Sequence, residues 1–162
     1  MERIVVDMQS GEQWTVPLEG AELAAWQAAE EVRVANLDAD TRAEWRQRID
    51  DVANAVHGAA LPFTHALIEY LQAEAAAAGF RAQGYAGAVP REVAAESDAK
   101  GASAQAATDG ILAKATALRA LNAEVRYVRL NGKAAVNAAI GDAIATTGQL
   151  IVDQLRAMIP TD

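Results

Sequence analysis

Along most of this chain the apolar positions fall three and four residues apart, the period of helices that bury one face, but the first sixteen residues follow a different rule. In the stretch IVVDMQSGEQWTV, residues 4–16, Ile4, Val5 and Val6 favour a pleated strand, Ser10-Gly11 brings turn chemistry, and Trp14, Thr15 and Val16 favour a strand that returns. The pattern predicts a β-hairpin. An isolated two-stranded hairpin is marginal in water, so this one must rest on its own helices, on another copy of the chain or on a larger assembly.

Pro17 closes the second strand. In EGAELAAWQAAEEVRVAN, Leu23, Trp26, Arg33 and Leu37 lie near helical spacing behind early glutamates that suit a helix start, which predicts a first helix. A second is expected to restart with Asp38 or Asp40 as cap, with Trp45, Ile49, Val52 and Val56 at intervals of four, three and four and Gly58 as a left-handed stop. A third takes Pro62 in its first turn, presents Phe63, Leu67, Ile68 and Leu71 on one face, and is expected to end at Gly79.

GFRAQGYAGAVP, residues 79–90, interrupts the helical pattern with glycines and a proline, while Phe80, Tyr85 and Val89 suggest a link that packs. A short helix follows from Pro90 to a cap at Gly101. Ser103 then caps a long one, along which Ala107, Ile111, Leu118, Leu121, Val125 and Val128 form a seam. Asn131-Gly132 is expected to interrupt it. From about Lys133 a last helix carries Val136, Ile140, Ile144, Thr147, Ile151, Leu155 and Met158 on one side until Pro160. The predicted architecture is mainly α: an N-terminal β-hairpin, a helical bundle, and a long C-terminal helical hairpin or coiled coil. Its expected organisation is a hairpin and helical domain over 1–78, a linker over 79–90 and a long-helix interaction domain over 91–162.

Composition sharpens this picture. Much of the apolar content is alanine, in runs such as AEAAAAGF and KAAVNAAIGDAIA, so the core must come from Leu, Ile and Val with close helix approaches at small residues. Cysteine is absent, which removes disulfides, thiolate nucleophiles and Cys-ligated zinc. Neither a signal peptide nor a membrane span is expected, so the chain should act in a cytosol or leave it by a route such as host-cell lysis. The whole net charge of −8 sits in residues 1–80, with fourteen acidic against five basic side chains, and the rest of the chain is near neutral. That asymmetry disfavours nucleic-acid binding and suits head-to-tail packing or a basic partner, or it keeps a helical surface soluble.

Candidate chemistry is sparse. His57 and His65 lie eight apart across an expected helix break, without the four-residue spacing or HExxH pattern of a metal site. Adjacent carboxylates such as Glu30-Glu31 and Asp50-Asp51 point about a hundred degrees apart on a helix and cannot converge on one bond or ion. Ser10, Ser97 and Ser103 lack a nucleophile elbow, and GYAGAVP has no phosphate-loop pattern. These features point to a protein that is not an enzyme and needs no cofactor or metal. One cluster is positive: Lys114, Arg119, Arg126, Arg129 and Lys133 share a candidate electrostatic stripe. It can meet the acidic first half of the chain, meet a neighbouring copy, or flank the apolar seam. Trp26 and Trp45 read as core anchors, and Trp14 as either core or an interface anchor.

RIVVDMQSGEQWTVPLEGAELAAWQA resembles the N-terminal pattern of small bacteriophage tail-region proteins, including tail fibre and tail fibre assembly proteins: a short V-D-x-x-[ST]-G-E hairpin, a return strand and a helix rich in Ala and Glu. AESDAKGASAQAATDGILAKATALRALNAEVRYVRLNGKAAVNAA is similar to a second element of such proteins, in which A-x-x-K-G-x-S-A-Q-x-A-A precedes a long helix. Strongly basic or aromatic C-terminal signatures of many assembly chaperones are missing, as is the long β-repeat of a fibre shaft. The resemblance implies a non-enzymatic virion structural protein, made in the host cytoplasm and assembled at the tail, baseplate or tail fibre. Its expected partners are other phage tail proteins and copies of itself as a homo-oligomer, a trimer among the options, with no nucleic acid and no membrane. A tail fibre assembly chaperone absent from the particle, or a small acidic host-takeover inhibitor, are the alternatives. The residues expected to carry interaction are Ile4, Val6, Trp14 and Val16 in the hairpin, and Leu118, Leu121, Val125, Val128, Ile140, Ile144, Ile151 and Leu155 along the seam.

Overall fold

The computed structural model describes residues 2–7, 12–60 and 64–160. It is mainly α with an N-terminal antiparallel hairpin: strands β1 (Glu2–Val6) and β2 (Gln13–Pro17), then helices α1 (Gly20–Ala60), α2 (Thr64–Ala82), α3 (Arg91–Lys100), α4 (Ala104–Ala138) and α5 (Asp142–Arg156). The described residues fall into two units, 1–43 and 44–162, and the expected linker at 79–90 lies inside the second.

In the first unit, β1 and β2 pair with Ile4 opposite Thr15 and Val5 opposite Trp14. The amide of Asp7 donates to the carbonyl of Glu12 at 2.9 Å, continuing the ladder toward the expected turn at Ser10-Gly11, which lies outside the described residues. Arg3 of β1 forms an ion pair of 2.6 Å with Glu22 in the first turn of α1. Past that turn α1 does not stop where two aspartates offered a new cap. Asp38 pairs with Arg42 one turn on at 3.3 Å, and the Thr41 hydroxyl donates to the Leu37 carbonyl at 2.8 Å. With neither glycine nor proline nearby, side chains that could have capped a restart brace a continuous helix instead. Nor does Gly58 end it, since α1 runs to Ala60.

The second unit is built on α4, whose 35 residues extend about 50 Å at ~1.5 Å per residue. The N-terminal part of α4 packs Ala107 and Ile111 against Ala77 and Phe80 of α2 and Val93 of α3. Its C-terminal part packs Val125, Val128 and Val136 against Trp45, Ile49, Ala53 and Val56 of α1 and against Ile144, Val152 and Leu155 of α5. Ser103 caps α4 by accepting the Ala106 amide at 3.1 Å, and Gly101 ends α3 in the left-handed conformation, φ +60°.

Two expected boundaries shift. Asn131-Gly132 does not interrupt α4. Asn131 donates its side-chain amide back to the Tyr127 carbonyl at 3.0 Å, and Gly132 is buried where an ideal Cβ would stand 2.4 Å from Ile151 Cγ2. The glycine therefore serves a close approach of α5, and the chain turns later, at Ala139–Gly141, where Gly141 takes φ +55°. The result is a helical hairpin of α4 and α5, with the last helix beginning at Asp142 instead of near Lys133. Likewise α2 passes through Gly79 to Ala82, and Tyr85, at φ +62°, folds back so that its ring meets Phe80 edge-on at 5.9 Å.

Candidate interaction surfaces

Along the first part of α1, Leu23, Trp26, Glu30, Val34 and Leu37 are spaced three, four, four and three apart and so share one face. Leu23 and Glu30 are half-buried, but Trp26 is 39% exposed, Val34 45% and Leu37 52%. Three large apolar side chains thus lie in water on this face, and Val32, 61% exposed, lies on the opposite one. Glu30 lies within the stripe and accepts from Arg33 Nε at 2.7 Å; that hydrogen bond holds the carboxyl below the ordinary carboxylate range and raises the guanidinium. Glu31 and Asp40 on its flanks have no ion pair among the described residues.

Of the hairpin residues expected to interact, Ile4 is 67% exposed and Val16 half-buried, while the side chains of Val6 and Trp14 lie outside the described set. The seam residues are distributed differently. Val125, Val128, Ile144 and Leu155 are buried in the core of one chain, with Leu121 and Ile151 partly buried beside them and Leu118 half-buried. Ile140 leaves the seam altogether: it sits in the α4–α5 turn and is 74% exposed, because the chain reverses there and not at Asn131-Gly132.

The basic stripe is largely neutralised inside the second unit. Lys133 reaches Asp50 of α1 at 2.6 Å, with Arg129 Nε 4.0 Å from the other oxygen of the same carboxylate. Arg119 pairs with Glu74 of α2, and Lys114 lies 3.7 Å from Glu96 of α3. Arg126 points from an exposed position. Pairs between partly exposed side chains contribute at most about 1 kcal/mol each, so this arrangement fixes which helix faces which more than it stabilises the bundle.

A cleft of about 160 Å³ between α2, α3 and α4 gathers Glu69, Tyr70, Glu92, Glu96 and Lys114. Glu96 has a lowered pKa. The ammonium of Lys100, paired with its Oε1, holds its carboxyl below the ordinary value, burial opposes this, and the charge of Lys114 adds to it. A second concavity beside it is lined by Ala117, Leu118 and Leu121 and is mostly apolar. At the α2–α3 turn the Tyr85 hydroxyl donates to Asp109 at 2.8 Å, which with burial raises its pKa.

No protein-family model, curated protein or solved structure matches this chain. Among the described residues no helix is long and apolar enough to cross a membrane.

Two features escaped sequence reasoning. Trp26, expected as a core anchor from its helical spacing, is 39% exposed, because spacing does not say which faces find partners. The pairing of Asp50 with Lys133 joins residues 83 apart; the opposed charge of the two halves of the chain was its only signal.

Proposed function

We propose that this chain is a non-enzymatic structural protein of a bacteriophage virion, seated at the tail, baseplate or tail fibre, and that it works through protein–protein assembly with other tail proteins. The observation that carries the reading is the stripe of Trp26, Val34 and Leu37, left in water on a helix whose first turn is tied to a two-stranded hairpin by Arg3 and Glu22. Among the described residues the ribbon has two strands, so each offers an outer edge to a neighbour's strand, and an apolar helix face adds a second contact of the kind that assemblies bury. The resemblance of residues 3–28 to the hairpin-and-helix opening of tail-region proteins supplies the setting. In the cleft of the second unit the perturbed carboxylate, Glu96, is already answered by Lys100 and Lys114, which suits a structural ion-pair network.

The test is the protein composition of particles purified from a lysate of cells that express the chain with its phage. A stoichiometric band at 17.0 kDa is expected. Its absence from particles, with the chain still present in the lysate, would replace this reading with a transient assembly chaperone.

A further inference from the structure

We draw no further inference here: the strongest candidate, the exposed apolar face of α1 bearing Trp26, Val34 and Leu37, carries nothing beyond the assembly reading, because nothing in the structure shows whether a second copy of the chain or another protein covers it.

Discussion

Replacing Gly148→Ala should destabilise the protein although alanine is the better helix former. Gly148 lies within α5, and the Trp45 ring of α1 is pressed against it: an ideal Cβ would stand 2.3 Å from Cδ2, 2.5 Å from Cε3 and 2.6 Å from Cγ. Ordinary contact begins near 3.4 Å, so ring and helix must part by roughly 1 Å. The ring has little room to retreat, because the Arg48 guanidinium stands over it at 4.6 Å. Overpacking of this kind costs about 1–3 kcal/mol, and the constraint on the ring puts the cost toward the upper end. Against it stands a helix-propensity gain of about 1 kcal/mol for Ala over Gly. The net loss is about 1–2 kcal/mol, a fall of roughly 1 M in the urea midpoint for a domain of this size.

Gly110→Ala is the internal control. Gly110 is in α4 with an ordinary helical φ and nothing within 4 Å of its would-be Cβ. The same substitution there should raise stability by about 0.5–1 kcal/mol, through propensity and a less mobile unfolded chain. Urea unfolding followed at 222 nm should therefore give midpoints on opposite sides of the parent. If both variants move upward together, Trp45 does not stack on α5 and the packing of α1 onto the α4–α5 hairpin is wrong. The double variant Gly148→Ala with Trp45→Leu should lose less than the sum of the single losses, because the shortened side chain vacates the space that the methyl group needs.

Other outcomes follow from the same geometry. Val125→Asp puts a carboxylate into a fully buried site among Val136, Ile144 and Leu155, and should cost more than about 3 kcal/mol, so that helicity is lost and not merely association. Circular dichroism of the purified variant reads this directly; a folded, dissociated product would return the seam to an interface between chains. Asp50→Asn removes the carboxylate shared by Lys133 and Arg129 and should cost about 1 kcal/mol, less in high salt, as read from urea midpoints at two ionic strengths. Because the folded-state pKa of Glu96 is depressed, its contribution is present above the unfolded carboxylate value and disappears as pH falls through the folded one. The stability difference between parent and Glu96→Gln should thus shrink between neutral pH and about pH 3; a difference independent of pH refutes the role given to Lys100 and Lys114.

The fold class was legible because two periods differ so plainly: β-branched residues crowd the opening, and spacings of three and four dominate thereafter. Caps were legible where their chemistry is local, as at Gly101 and Ser103. Boundaries went astray where a residue with two uses was read for the wrong one. Gly132 follows an asparagine and so looks like a helix exit, yet its missing side chain admits Ile151 from α5. Asp38 looks like a cap, yet it braces Arg42 along an unbroken helix. In each case the deciding neighbour is a tertiary contact or a turn of helix whose continuation local pattern does not specify. Ile140 was placed on the seam by period alone, and the shift of the chain reversal by about two helical turns, from Asn131-Gly132 to Ala139–Gly141, carried it into solvent.

That shift also redirects the search for partners. Val125, Val128, Ile144 and Leu155 have the spacing of an association seam, but their surfaces are buried against Trp45, Ile49 and Val56 of the same chain, and a side chain with no exposed area has none left to offer a neighbour. The basic stripe behind them is tied to Asp50, Glu74 and Glu96 in the same way. What the described residues leave exposed lies elsewhere: in the first 43 residues Trp26, Val34 and Leu37 on α1 together with most of the net charge, and in the second unit Leu67, Ile68 and Leu71 on α2 and Tyr127 and Leu130 on α4.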